Sequence, residues 1–221
     1  FMKKIFLTRK LLKENEEKLS SLFRIVTNKN DKLYSSEQII KGSYDCDGIL
    51  SSVSDKFDKD VIFSLSKSVK IIANGAVGYG NIDIDAAKAR GILVTNTPDV
   101  LTDATADIAI LLLLGASRRA FEGRIAAEKQ DWQWSFDFLL GKQMSNKKLG
   151  ILGMGRIGRA VAKRARGFNM EIHYHNRKKL PKDLEDGAIY HKDIKSLFSQ
   201  SEFLSINCPA TPETTNIVND Q

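Results

Sequence analysis

The fold is decided by the stretch Gly150-Ile151-Leu152-Gly153-Met154-Gly155-Arg156-Ile157-Gly158, in which an apolar strand runs into the spacing G-x-G-x-x-G. A helical segment follows at 159–167, and a second apolar strand covers 170–174. A glycine spacing of this kind is weak evidence alone, but strand, glycine loop, helix and strand in this order predict a dinucleotide-binding βαβ unit.

The glycines of this loop have separate tasks if a dinucleotide binds there. Gly153 permits the tight turn off the strand, Gly155 lets the backbone approach a pyrophosphate, and Gly158 lets the helix pack against the strand. The N–H groups of Arg156 and Ile157 then meet the anion at the positive end of the helix dipole. The alternative is an ordinary βα turn whose glycines serve packing only.

The residues that end the next strand indicate which dinucleotide is preferred. A carboxylate about 20 residues after the glycine loop is typical of NAD sites, because it accepts a hydrogen bond from the ribose 2′-hydroxyl. Here the positions read Asn176, Arg177 and Lys178. Two cations pair with a 2′-phosphate, so NADP(H) is the preferred cofactor and NAD(H) the second choice. The alternative is a solvated basic turn.

Short apolar runs alternate with helical segments before the glycine loop as well, which predicts parallel pairing and a doubly wound α/β fold. Pro98 marks a break, so we expect one domain over 2–98 and a second over 99–221, which begins with an Ala- and Leu-rich helix at 101–119. Three strands are predicted after residue 149, at 150–152, 170–174 and 203–207. If the strand at 203–207 is the third strand of the sheet, the strand at 150–152 lies at an exposed edge. The second domain then contains only the first half of a dinucleotide-binding fold.

Composition excludes several classes of protein. The 221 residues are 42% hydrophobic and 28% charged, and the longest apolar run, 108–114, is too short to span a membrane. Cys46 and Cys208 are far apart and have no C-x-x-C spacing, which favours a reducing cytoplasm over a disulfide framework. His173 and His175 share a strand face but have no third partner at ligand spacing, so no metal site is expected.

The net charge of +7 is concentrated in one segment. Residues 147–182 contain eleven Lys or Arg and one acid, Glu171, a local balance of +10. Such clustering predicts an anionic ligand, either a phosphate-rich cofactor or nucleic acid. Because no basic groove with interleaved aromatic residues and no nucleic-acid motif is present, we expect the former and no nucleic-acid partner.

Several motifs together carry a family resemblance, and they lie at 76–83, 87–92, 95–107, 149–158, 165–168 and 208–214. In these segments the chain resembles the D-2-hydroxyacid dehydrogenase family, in its glyoxylate/hydroxypyruvate reductase branch. The resemblance implies a flavodoxin-like substrate domain, a Rossmann cofactor domain and a homodimer formed through the cofactor domain and the helix at 101–119. It also implies hydride transfer between NAD(P)H and a small 2-oxoacid.

The resemblance also implies site residues. Val77 and Gly78 are expected to offer backbone N–H groups to the substrate carboxylate, as consecutive amides near glycines can do, and Val53 is expected to line the substrate pocket. Further cofactor contacts are expected at Thr105, Cys208, Pro209 and Thr214. Packing is the competing explanation for each of these residues.

No catalytic residue is expected in this chain. The family uses an Arg, a Glu and a His that follow the strand at 203–207, and the sequence ends at Gln221 with nothing that matches them. We therefore expect the chain to be C-terminally incomplete and to be inactive alone. The alternative function is a dinucleotide-binding regulatory protein of the corepressor type, without catalysis.

Overall fold

The computed structural model describes residues 2–130 and 132–219. The chain divides into two compact units after Asp99, where the sequence placed the boundary after residue 98. Each unit contains one sheet of parallel strands joined by helices, and each has its own hydrophobic core.

The first unit alternates strands and helices. Its strands are β1 (Lys4–Leu7), β2 (Arg24–Val26), β3 (Gly48–Ser51), β4 (Ile71–Asn74) and β5 (Leu93–Thr95). Its helices are α1 (Lys13–Leu22), α2 (Ser36–Gly42), α3 (Lys59–Ser64) and α4 (Ile84–Ala89). The strands pair in the order β2-β1-β3-β4-β5, and every pair is parallel. This is the flavodoxin-like order.

Local sequence explains where the short helices of this unit begin. Ser35 precedes α2, where its side chain accepts from the Gln38 N–H and the Gln38 side chain accepts from the Ser35 N–H. Asp58 and Asp83 cap α3 and α4 in the same position, each accepting from an N–H three residues later. These caps satisfy helix donors that would otherwise lack partners, and they fix the ends of helices that contribute Ile39, Val61, Ile62, Ala86 and Ala87 to the core.

The second unit begins with two helices, α5 (Thr102–Ser117) and α6 (Ala120–Lys129). The remaining elements are β6 (Lys148–Leu152), α7 (Arg156–Arg166), β7 (Glu171–His175), α8 (Lys182–Glu185), β8 (Ile189–Tyr190), α9 (Ile194–Gln200) and β9 (Phe203–Ile206). The strand order is β8-β7-β6-β9, again parallel throughout. The predicted fold class, a flavodoxin-like domain followed by a Rossmann-type domain, is confirmed.

One part of the strand prediction is wrong. The third strand of this sheet is the two-residue β8, which pairs with β7, so the strand at Phe203–Ile206 is the fourth and pairs with β6. Strand β6 therefore has a partner on each side and is not an exposed edge. Among the described residues, the edges of the second sheet are β8 and β9. No described helix combines the length and the apolar character needed to cross a membrane.

Candidate functional site

A cleft of about 880 Å³ opens at the carboxyl ends of β6, β7 and β9. The chain runs from β6 outward to β7 and β8 and then returns to β9 on the other side of β6, so this is the point where the strand order reverses. Open parallel sheets bind ligands at such a switch point. Predicted cofactor residues that line the cleft are Gly153, Gly155, Asn176, Arg177, Lys178, Cys208, Pro209 and Thr214.

The three glycines of the loop differ in what surrounds them. Gly153 has φ +93°, in the region that favours glycine, and a Cβ there would lie 2.6 Å from the Cys208 nitrogen. A Cβ at Gly158 would lie 2.5 Å from the Gly153 oxygen. At Gly155 the backbone is ordinary, with φ −80°, and a Cβ would meet no atom within 4 Å. Only Gly155 therefore leaves open space beside the loop.

The start of α7 supplies hydrogen-bond donors at this open space. Gly155 is the N-cap of α7, which has no side-chain cap. Among the described residues, nothing accepts from the N–H groups of Gly155 and Ile157. Unpaired donors at the positive end of an 11-residue helix are suited to an anion.

Asn176 has a structural role that the sequence did not indicate. Its side-chain oxygen accepts from the Met154 N–H at 2.6 Å, and its side-chain nitrogen contacts the Met154 carbonyl at 3.5 Å. The position that carries a carboxylate in NAD sites therefore holds the glycine loop here, while the Asn176 side chain still borders the cleft.

The basic residues after β7 sit on a segment anchored at one end. The Tyr174 hydroxyl accepts from the Leu180 N–H at 3.0 Å and donates to the Glu185 carboxylate at 2.6 Å. Burial and the Glu185 hydrogen bond raise the pKa of Tyr174 to about 12, so its phenol keeps this proton. In the described part of the chain, no carboxylate lies within salt-bridge distance of Arg177 or Lys178.

Other cations of the basic segment are paired inside the second unit. Arg164 contacts Asp107 at 2.6 Å and Asp103 at 3.0 Å, and Arg166 contacts Asp186 at 2.9 Å. The concentration of positive charge seen in the sequence is therefore partly neutralised. What remains at the cleft is the pair formed by Arg177 and Lys178.

The loop after β9 forms the opposite wall of the cleft. The Thr214 hydroxyl donates to the Pro209 carbonyl at 2.7 Å and accepts from the Thr211 N–H at 2.8 Å, which folds the loop into a compact turn. Thr211 and Glu213 also line the cleft, and the sequence analysis missed both. Predicted cofactor residues outside the lining are Thr105, Arg156, Ile157 and Gly158.

The histidines form a hydrogen-bonded chain beside β7. His173 contacts the Glu171 carboxylate at 2.6 Å and His191 at 2.8 Å, and His191 contacts the Ser196 hydroxyl at 2.7 Å. Burial and the neighbouring His173 lower the pKa of His191. The His175 ring donates to the His191 carbonyl at 2.9 Å. Within the described ranges, no group of three His, Cys, Asp or Glu side chains is placed to hold a metal ion.

The predicted substrate residues lie in the first unit, at the carboxyl ends of its strands. Val53 follows β3 and is 65% exposed. After β4, the Val77 carbonyl accepts from Asn96 at 2.8 Å and the Gly78 carbonyl accepts from Asn74 at 2.9 Å. Among the described residues, nothing accepts from the Val77 and Gly78 N–H groups. Hydrogen bonds to its carbonyl groups therefore hold the loop after β4, and its Val77 and Gly78 N–H groups remain available to donate to a ligand.

Two buried or half-buried asparagines connect these loops. Asn74 also contacts the Asn81 side chain at 3.3 Å, and Asn81 donates to the carbonyls of Ser52 and Asp55 at 3.1 and 2.9 Å. The loop that carries Val53 is thereby fixed relative to the loop after β4. Neither asparagine was singled out in the sequence.

Known proteins resemble this chain along nearly its whole length. A family model described as "D-isomer specific 2-hydroxyacid dehydrogenase, NAD binding domain" matches residues 110–221. A glyoxylate reductase of Thermococcus litoralis is 38% identical, over 99% of this chain and 67% of the relative. A glycerate dehydrogenase of Hyphomicrobium methylovorum is also 38% identical, over 98% of this chain and 68% of the relative.

The chain belongs to the D-isomer specific 2-hydroxyacid dehydrogenase family. The family resemblance predicted from the motifs is thus confirmed, and with it the class of enzyme, an oxidoreductase that acts on hydroxyacids. The chain spans about two thirds of the length of the curated relatives it matches.

Solved structures agree with this assignment. A glyoxylate reductase from Paecilomyes thermophila has a TM-score of 0.84 and 38% identity, with 98% of this chain and 68% of that chain covered. A D-lactate dehydrogenase from Escherichia coli, in its apo form, has a TM-score of 0.76 and 30% identity, with 99% and 68% covered.

A nicotinamide dinucleotide is the cofactor that the family implies, and the cleft fits it. Gly155 leaves room for a phosphate against the backbone, and nearby N–H groups lack partners among the described residues. These features are those that a pyrophosphate requires.

Proposed function

We propose that this chain binds the substrate and the cofactor of a reductase that acts on a small 2-oxoacid, glyoxylate or hydroxypyruvate, and prefers NADP(H) to NAD(H). The cofactor supplies the hydride when bound. The observation that supports NADP(H) is the basic pair Arg177 and Lys178 at the cleft, beside an asparagine that is already engaged with the glycine loop.

The proposed roles of the chain's own residues follow from their positions. Gly155 and Ile157 bind the pyrophosphate through their N–H groups, and Arg177 pairs with the 2′-phosphate. In the first unit, Val77 and Gly78 donate to the substrate carboxylate. A Cβ at Gly78 would meet no atom within 4 Å, so the space in front of this loop admits a ligand.

The proposed cofactor preference predicts the behaviour of an Arg177→Ala variant. Its affinity for NADPH should fall by about 1–3 kcal/mol, the scale of charge-assisted hydrogen bonds, while its affinity for NADH should change little. Calorimetric titration of both dinucleotides measures this. Lys148→Ala is the matched control, since it removes the same charge at the far end of β6. Equal affinity of the parent chain for NADPH and NADH would contradict the proposal.

Homodimerisation is the second part of the proposal. Ile108, Leu111 and Leu112 lie on one side of α5 and are 55%, 61% and 66% exposed. A contiguous apolar face of this kind is typical of an interface with another protein. In sedimentation, a Leu111→Glu variant should dissociate to monomers, whereas Leu12→Glu, at a leucine of the first unit that is 75% exposed, should not. A parent chain that sediments as a monomer at all concentrations would refute this part.

The alternative, a dinucleotide-binding regulator without catalysis, has less support, because the matched relatives named here are reductases and dehydrogenases. A cytoplasmic location remains part of the proposal, on the basis of two free cysteines, Cys46 and Cys208. The expectation of no nucleic-acid partner also remains, and a DNA-binding assay at low salt tests it.

A further inference from the structure

The cleft contains an acidic residue that opposes its basic pair. Among the described residues that line it, Glu213 is the single acid, and Arg177 and Lys178 lie in the same lining. The turn that carries Glu213 is fixed by Thr214, through hydrogen bonds to the Pro209 carbonyl and the Thr211 N–H. The position of Glu213 is therefore determined by a loop that its own hydrogen bonds hold in place.

Glu213 is charged at neutral pH. A hydrogen bond from Thr211 lowers the pKa of the Glu213 carboxyl, and attraction to Arg177 lowers it further. In the described part of the chain the two side chains form no salt bridge, so Glu213 acts on Arg177, the residue assigned above to the 2′-phosphate, through attraction across the cleft that both line.

We propose that Glu213 is a specificity-determining residue that weakens the preference for NADP(H) by competing with the 2′-phosphate for Arg177. The inference rests on the proposed function, since it concerns the same cleft. A 2′-phosphate paired with Arg177 adds negative charge to the cleft that Glu213 lines, which costs repulsion from the carboxylate and weakens the attraction between Glu213 and Arg177. Because a 2′-hydroxyl is neutral, the binding of NAD(H) incurs neither of these costs. The cleft thus accepts both dinucleotides, and Glu213 limits the difference between them.

Glu213→Gln tests this directly, because glutamine keeps the size of the side chain and can still accept from Thr211. The dissociation constant for NADPH should fall about two- to fivefold, the scale of an exposed charge pair, and that for NADH should stay the same or rise. Glu202→Gln is the matched control. It removes the same charge from the same unit, but at the amino end of β9, and should leave the ratio of the two constants unchanged.

A double-mutant cycle with Arg177→Ala tests the mechanism. If Glu213 acts through Arg177, the effect of Glu213→Gln on NADPH binding should be smaller in the Arg177→Ala background. An unchanged NADPH/NADH ratio in Glu213→Gln, or a ratio that shifts equally with and without Arg177, overturns the inference while the proposed function stands. If the parent chain binds neither dinucleotide, the proposed function fails and the inference fails with it.

Discussion

A Gly155→Ala variant is expected to lose no more than about 1 kcal/mol of folding stability, because alanine is a poorer N-cap than glycine. It should lose at least about 3 kcal/mol of dinucleotide affinity, roughly a factor of 100. The backbone at Gly155 has φ −80°, outside the left-handed region that favours glycine, and the added Cβ would meet no atom within 4 Å. Only a ligand held against the backbone would meet the new methyl group. The loss corresponds to two charge-assisted hydrogen bonds, from the Gly155 and Ile157 N–H groups to the pyrophosphate.

Gly158→Ala is the contrasting variant, because its Cβ would collide with the Gly153 oxygen at 2.5 Å. It should lower the free energy of unfolding by about 1–3 kcal/mol even without ligand, as overpacking does. Chemical denaturation and calorimetric titration of both variants separate the two effects. If Gly155→Ala binds NADPH as the parent does, the glycine spacing serves packing only, which is the alternative left open by the sequence.

The alternation of strands and helices along the chain could be predicted because each central strand is a distinct apolar run followed by a helical segment. Strand β8 could not, since two residues, Ile189 and Tyr190, carry no measurable periodicity and owe their strand conformation to pairing with β7. Because β8 was not predicted, the strand at Phe203–Ile206 was counted as the third strand of the sheet. This placed β6 at an edge, although β6 lies between β7 and β9. Helix α6 was missed as well, because its sequence has no clear apolar face and no side-chain cap.

Residues that line the cleft were predictable where the sequence spacing itself determines the backbone. The glycine loop and the basic pair after β7 are of this kind, since both are placed by a strand end. Glu213 is not, because its position depends on how Thr214 folds the loop after β9. The sequence showed only that Asn176 is not a carboxylate. Its contact with Met154 could not be predicted, because this contact requires two strand ends to be adjacent in space.

Loss of Asn74 should disturb the two loops that carry the proposed substrate residues. Asn74 is 2% exposed, accepts from the Ser51 hydroxyl at 3.1 Å, and donates to the Gly78 carbonyl and the Asn81 side chain. Asn74→Ala leaves the buried Ser51 hydroxyl without this partner and removes the hydrogen bonds to the exposed Gly78 and the half-buried Asn81. The free energy of unfolding of the first unit should therefore fall by about 2–4 kcal/mol, and amide hydrogen exchange should rise in the loop after β4.

Asn96→Ala is the matched control for this prediction. Asn96 is half-buried and makes one hydrogen bond into the same loop, to the Val77 carbonyl, so its loss should cost only about 0.5–1.5 kcal/mol. Urea denaturation and hydrogen exchange of the two variants show whether Asn74 holds both loops or contributes no more than the single contact of Asn96. An Asn74→Ala variant with the stability of Asn96→Ala and unchanged exchange at Val77 and Gly78 would show that the two loops are held independently. If the larger loss is observed, the Val77 and Gly78 donors proposed for the substrate carboxylate depend on a buried amide at the end of β4.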